Sequence, residues 1–185
     1  VRSGEWIRTI DRGMELADRL LAVIGYGAIG RRVARIASAL GMRVHAYDPY
    51  VDPAAFAPDV TPAASLDALL AQADVVSLHC PLTTETRNLL DARRLARLKA
   101  GALVVNTARG ETVDDDAMVA AVESGHVRGY AADTYSVEPP GAGHPLLKLD
   151  RAIFTPHCGA ATAAAAARVA RAVATNLVLG LEGRG

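Results

Sequence analysis

Apolar residues along this chain fall into short blocks of two kinds. One kind is continuous and bounded by polar or turn residues: Leu20–Ile24, Arg43–Asp48, Asp74–His79, Ala102–Thr107, Gly129–Thr134 and Ala152–Thr155. These blocks are rich in Val, Ile, Leu and Ala without period-two alternation, the pattern of strands covered on both faces of a sheet. The other kind recurs at helical spacing over Ile29–Leu40, a short stretch near Ser65–Ala71, Asp91–Leu98, Asp114–Glu123 and a long terminal stretch from about Ala160. Gly41, Gly101 and Gly125 fall just past predicted helix ends, where a left-handed residue is wanted. Asp91 and Asp114 precede helices as N-caps. Pro49, Pro53, Pro58 and Pro62 make the segment after Asp48 a loop. Strand and helix alternate, which predicts right-handed crossovers and an α/β fold with a doubly wound parallel sheet.

The first strand–helix junction carries Gly25-Tyr26-Gly27-Ala28-Ile29-Gly30, and Asp48 closes the second predicted strand. Three glycines alone would be weak evidence. Here they follow a buried strand, open a helix and are followed by an acid at a strand end, the context that a dinucleotide site demands. Gly25 allows the tight turn, Gly27 lets the backbone approach a pyrophosphate, and Gly30 lets helix and strand pack closely. The helix N-terminus offers free N–H groups and a positive dipole end to phosphates. Asp48 can accept from both adenosine ribose hydroxyls and would repel a 2′-phosphate, so the expected cofactor is NAD rather than NADP. The sheet is accordingly of the Rossmann type.

Composition narrows the partners. The 185 residues suffice for one domain with a substantial core. Twenty basic and twenty acidic residues cancel, which leaves no electrostatic footprint for nucleic acid or an anionic membrane. No apolar stretch reads as transmembrane and no signal peptide opens the chain. Cys80 and Cys158 lack metal or redox-motif spacing and read as buried, reduced thiols of a cytoplasmic protein. The histidines show no metal-ligand spacing either, so no metal is expected. The chain starts at Val1 rather than methionine, which reads as a fragment.

Three further clusters stand at predicted strand ends, where α/β sheets place their ligands. They are Asn106-Thr107-Ala108-Arg109-Gly110, Asp133 through Glu138-Pro139, and Thr155-Pro156-His157-Cys158-Gly159. Hydride transfer to a 2-keto acid needs such a set. An arginine fork holds the carboxylate and polarises the carbonyl, a histidine gives up a proton near neutral pH, and a carboxylate favours and orients the protonated ring. Singly, Arg109 reads as a surface ion-pair partner and His157 as a strand-end cap. Together, beside a nucleotide fingerprint, they read as chemistry.

These residues resemble the D-isomer-specific 2-hydroxyacid dehydrogenases, specifically their NAD-binding domain. The likeness runs through the glycine turn with Asp48, Ala73-Asp74 through His79-Cys80-Pro81-Leu82-Thr83 with Glu85-Thr86, and the three clusters, with His144-Pro145-Leu146 between the last two. It implies Arg109 as binder of the substrate carboxylate and carbonyl, His157 as acid/base and Glu138 as its partner. It implies cofactor contacts from Gly25, Tyr26, Gly27, Ala28, Ile29, Gly30, Asp48, His79, Cys80, Pro81, Thr86, Thr107, Ala108, Arg109, Asp133, His157 and Gly159, with Asp133 near the nicotinamide carboxamide. Glu138 argues against formate dehydrogenases, a similar group with glutamine there. Cys158 and Ala160-Ala161 depart from the family's residues after the histidine.

Family enzymes are roughly twice as long. Residues 1–16 and 160–185 resemble crossovers toward a substrate domain that this sequence does not include, so residues 1–185 read as one NAD-binding domain. The implied activity is hydride transfer between NAD(H) and a D-2-hydroxy acid or 2-keto acid; the alternative is an NAD-sensing interaction module without turnover, as in the family's corepressors. The resemblance implies that the cofactor domains form the dimer, with the arm of Trp6 and Ile7 reaching toward the partner, and Trp6, in a segment too short to bury it alone, points to the same homodimer.

Overall fold

A computed structural model describes Gly4 and residues 13–183 of the chain. Its strands are β1 Leu20–Ile24, β2 Arg43–Tyr47, β3 Val60–Pro62, β4 Val75–Leu78, β5 Ala102–Asn106, β6 Val127–Ala132 and β7 Ala152–Phe154. Its helices are α1 Ala28–Ala39, α2 Leu66–Leu70, α3 Ala92–Leu95, α4 Asp115–Glu123 and α5 Ala163–Leu181. All strands pair in parallel, in the order β3-β2-β1-β4-β5-β6-β7. The chain builds outward from β1 to one edge and then returns to build from β4 to the other. Such a switch point opens a crevice at the carboxyl ends of β1 and β4.

β1 feeds both layers of the core. Ala22 and Ile24 join Leu70, Val76, Leu78, Val104 and Met118 on one side. Leu21 and Val23 join Tyr26, Ala34, Ala37, Val44 and Ala46 on the other, under α1. Burying each larger side chain among these contributes about 1.5–3 kcal/mol. Asp74 fixes the start of β1: its carboxylate accepts from the Leu20 N–H at 2.9 Å and from Lys99 Nζ at 2.6 Å. Asp91 and Asp114 cap α3 and α4 through the N–H groups of Arg94 and Ala117. Gly41, Gly101 and Gly125 have positive φ.

Several expectations change. The proline-rich segment after Asp48 contains a 3₁₀ turn, Pro53–Ala55, and an unanticipated strand, β3, which ends on Pro62. An edge strand tolerates proline because only one side of it needs a bonding partner. Cover on both faces holds for β1 and β4, every residue of which is buried, but not beyond them. In β5 buried and half-buried residues alternate, and Ile153 of β7 is 69% exposed. None of the residues of α5 is buried, and its Val169, Val173, Leu177 and Leu181 are exposed along one face. With mean hydropathy 1.3 over its apolar window, α5 is long and apolar enough to cross a membrane by length and composition, contrary to the sequence expectation, although it carries Arg168 and Arg171. Cys158, expected to be buried, is exposed, because it lies in the loop beyond the end of β7 rather than in a strand or under a helix, whereas Cys80 is buried in the core; both are free thiols. The arm with Trp6 and Ile7 lies outside the described residues.

Candidate active site

At the carboxyl end of β1 the chain turns through Gly25, whose φ is 92°. A Cβ there would lie 2.7 Å from the backbone of His79 and Cys80, so the turn presses directly on the end of β4. At Gly30 a Cβ would lie 2.0 Å from the Gly25 carbonyl oxygen, which locks α1 against the turn. Gly27 differs: a Cβ there would meet open space. Gly27 is also the N-cap of α1, with no side-chain cap and no acid in the first turn. An open cradle ending on an uncapped helix N-terminus suits a pyrophosphate.

Asp48 is aimed by backbone. Its Oδ2 accepts the Tyr26 N–H at 2.8 Å and its Oδ1 the Tyr50 N–H at 3.0 Å. A carboxylate has room for about four acceptor contacts, so two remain for ribose hydroxyls. The Tyr26 ring is buried, stacked on Phe56 with its hydroxyl accepting from the Ala57 N–H. Tyr26 therefore shapes the site from beneath rather than offering its ring to a ligand. Ala28 and the exposed Ile29 open α1. The opposite wall is the segment after β4. His79 Nε2 pairs with Ser77 Oγ at 2.9 Å, its Nδ1 is buried without a partner, and burial pushes its ring below the ordinary imidazole range. Thr86 Oγ1 donates to the Pro81 carbonyl at 2.6 Å and accepts from the Thr83 N–H. Its hydroxyl is thus engaged in holding the loop.

The chemical groups stand at the ends of β5, β6 and β7. Asn106, fully buried, fixes the turn after β5: its Oδ1 accepts the Ala108 N–H and its Nδ2 donates to the Arg109 carbonyl. Thr107 and Arg109 are exposed while Ala108 is buried. The Arg109 guanidinium turns back on the Ala108 carbonyl at 2.6 Å. Behind it, a Cβ on Gly110 would overlap the Tyr135–Ser136 peptide, so the arginine turn is packed against the next loop. In that loop the Glu138 carboxylate accepts the Tyr135 N–H on Oε1 and the His157 Nδ1–H on Oε2 at 2.7 Å. The His157 ring first, and the Tyr135 N–H second, hold the Glu138 carboxyl below the ordinary range; the Arg109 charge adds to this. Nδ1 of the half-exposed His157 ring is thus engaged, and Nε2 is its other nitrogen.

Asp133, expected to lie near the nicotinamide carboxamide, has both oxygens occupied within the chain. Oδ1 accepts from Thr155 Oγ1 at 2.5 Å and the Cys158 N–H at 2.9 Å, and Oδ2 accepts the Gly159 N–H at 2.9 Å. Burial opposes its charge, but these donors outweigh it and the carboxyl is held below the ordinary range. Asp133 thereby clamps the loop in which His157 adopts φ 50°, uncommon outside glycine. The Tyr135 hydroxyl adds a tie to the Thr155 carbonyl at 2.8 Å. Asn106, Tyr135 and Thr155 were not singled out individually from sequence; a polar residue ending an apolar strand was the available signal. Among the described residues, no group of His, Cys, Asp and Glu could hold a metal ion.

The family model for the D-isomer specific 2-hydroxyacid dehydrogenase, NAD binding domain, matches residues 1–159. The chain is 43% identical over 183 residues to a D-3-phosphoglycerate dehydrogenase of Mycobacterium leprae, covering 99% of this chain and 34% of that protein. Among solved structures it is similar to a glyoxylate reductase from Paecilomyes thermophila, with 36% identity, TM-score 0.89, and coverage of 98% of this chain and 55% of that one. It is also similar to an NAD-dependent formate dehydrogenase from Staphylococcus aureus in complex with NAD, with 33% identity, TM-score 0.83, and coverage of 92% and 51%. The chain thus spans about a third of the length of the first relative and about half of the other two. By these matches the chain belongs to the D-isomer specific 2-hydroxyacid dehydrogenase family, through its NAD binding domain.

Proposed function

We propose that this domain serves an NAD-dependent oxidoreductase that interconverts a D-2-hydroxy acid and its 2-keto acid. The observation that carries the reading is the His157 Nδ1–Glu138 Oε2 contact of 2.7 Å with the Arg109 charge nearby, beyond the carboxyl ends of the same parallel strands as the glycine turn. The residues of that turn fit NAD(H) through Gly27, the uncapped start of α1 and Asp48. When bound, the cofactor supplies or accepts the hydride. Arg109 turns outward to hold the substrate carboxylate and polarise the carbonyl through its planar fork. His157 delivers a proton from Nε2 to the carbonyl oxygen in reduction and takes it back in oxidation. Glu138 fixes the ring and favours its protonated form.

We propose further that a substrate-binding lobe formed by segments outside these 185 residues completes the cleft, that the domain pairs as a homodimer, and that it works in the cytoplasm on a small acid, not on nucleic acid or a membrane. The open faces of α5 and of the β5–β7 half of the sheet, with the coverage of longer relatives, support the first two. The two free thiols support the third. The test is direct. The 185-residue chain binds NADH in a calorimetric titration but oxidises it with 2-keto acids immeasurably slowly, since alignment of reactants accounts for roughly 7–11 kcal/mol of such barriers. The protein extended by its substrate lobe turns over. Sedimentation shows a dimer at micromolar concentration. Absence of NADH binding, or failure of every 2-keto acid with the extended protein, overturns the reading.

A further inference from the structure

Tyr50 engages two carboxylates at once. Its N–H donates to Asp48 Oδ1 at 3.0 Å, and its hydroxyl donates to Glu85 Oε2 at 2.5 Å. Tyr50 follows β2, Glu85 stands in the loop after β4, and β1 lies between these two strands. The tyrosine therefore reaches across the carboxyl end of β1, over the crevice opened by the glycine turn. The residue is 81% exposed, so burial does not account for its reach. Glu85 first, and Asp48 after it, raise the Tyr50 hydroxyl above the ordinary phenol range, a sign that two negative charges converge at this end of the crevice. The arginine in the first turn of α1 that follows Gly30 is engaged elsewhere. Arg31 donates to the Ala55 carbonyl at 2.8 Å and lies 4.6 Å from the Tyr26 ring centroid.

We propose that Glu85, placed by the Tyr50 hydroxyl, is a second residue that discriminates against the 2′-phosphorylated cofactor. This rests on the reading of the glycine turn and Asp48 as the adenosine end of the NAD site. The two carboxylates act differently. Asp48 accepts from the ribose hydroxyls at contact distance, and a 2′-phosphate removes one of those donors. Glu85 acts through its charge alone, against a group carrying about −1.5 to −2 at neutral pH. Its share is therefore sensitive to salt, because exposed charges are screened over about 8 Å at physiological ionic strength.

Calorimetric titrations of NADH and NADPH into the wild type, Glu85→Gln and Tyr50→Phe, each at low and high salt, test the assignment. Glu85→Gln tightens NADPH roughly two- to fivefold at low salt, the range of an exposed charge contact, and leaves NADH within about twofold. Most of the gain disappears at high salt. Tyr50→Phe moves the ratio the same way by a smaller factor, because the carboxylate swings free. An NADPH-to-NADH ratio that Glu85→Gln leaves unchanged, with NADH bound normally, overturns the role of Glu85 alone. A ratio moved by Glu85→Gln and not by Tyr50→Phe overturns the placement by Tyr50. A wild type that binds neither cofactor overturns the reading of the site itself.

Discussion

The two ends of the crevice are built by different means. At the β1–β2 end, recognition rests on backbone: a glycine turn pressed onto β4, a free helix N-terminus, and an aspartate pinned by two N–H groups. The glycine turn leaves β1 and presses on β4, the two strands packed on both faces. At the β5–β7 end the reactive groups are side chains half in solvent, aligned by one another, on a sheet with one face partly open. The difference teaches what each task requires. A nucleotide is gripped by close approach of elements that already pack for stability, so its site is complete once the domain folds. Acid–base chemistry needs a dry and enclosed cleft, and in the proposed reading these residues form one wall of it.

The largest effects are expected where fold and recognition share an atom. Gly30→Ala places a Cβ 2.0 Å from the Gly25 carbonyl oxygen, and backbone must move to admit it. Denaturation of that variant shows a loss of about 3 kcal/mol or more, at the upper end for overpacking. Gly27→Ala is the contrast, because its Cβ meets open space. Its stability stays within about 1 kcal/mol of wild type, while NADH affinity falls at least about tenfold, or ~1.4 kcal/mol. If both variants lose stability equally, the glycine turn is only a packing device and the comparison fails at its first end.

The other end breaks differently. In the protein extended by its substrate lobe, His157→Ala lowers kcat by roughly 10²–10⁴, the usual worth of a positioned acid–base group. NADH binding to the same variant is little changed, because the adenosine end is built from other strands. A parallel collapse of cofactor affinity would show that the two ends are one structural unit.

Asp48→Asn gives a smaller effect. The amide oxygen still accepts one backbone N–H, but the charge and an acceptor are lost. NADH weakens by about tenfold, or ~1.4 kcal/mol, and the gap to NADPH narrows. An unchanged gap would remove Asp48 from the selectivity argument.

How much of this was readable in advance follows the same division. The glycine turn, Asp48 and the caps at Asp91 and Asp114 were legible because each is a local solution to a backbone problem, with few residue types to choose from. The strand ends bearing Arg109, Glu138 and His157 were legible as positions. The pairing of Glu138 with His157 was implied by the family resemblance, but only the fold shows that the ring nitrogen engaged is Nδ1. β3 escaped because its Val60-Thr61-Pro62 is too short to show a period and ends in a residue that signals a loop. Asp133 and Thr86 were read as cofactor contacts from their place in the motifs. Their side chains also hold the loops on which such contacts depend, a structural task that motif position alone does not reveal. Continuous apolar runs predicted cover on both faces of β5 to β7. Composition records that a surface prefers cover, not whether the covering segment is among these residues.

The subtlest expected effect concerns Glu138. Its carboxyl is held below the ordinary range by the His157 ring and the Tyr135 N–H. A depressed folded value means that the contact is present above the ordinary carboxyl range and is lost only as pH falls through the depressed value. Across the working range the carboxylate is therefore charged, and it favours the proton-bearing ring. Reduction of a keto acid needs that proton and fades as pH rises. Glu138→Gln keeps the shape and an acceptor for Nδ1–H but removes the charge. In the extended enzyme the alkaline limb of keto-acid reduction should then move to lower pH. Hydroxy-acid oxidation, which needs the unprotonated ring, should extend to lower pH by the same amount. Rates of both directions measured across pH for wild type and Glu138→Gln decide the point. If the two profiles do not move together, Glu138 is only a structural tie, and the mutual alignment assigned to the β5–β7 end carries no chemistry.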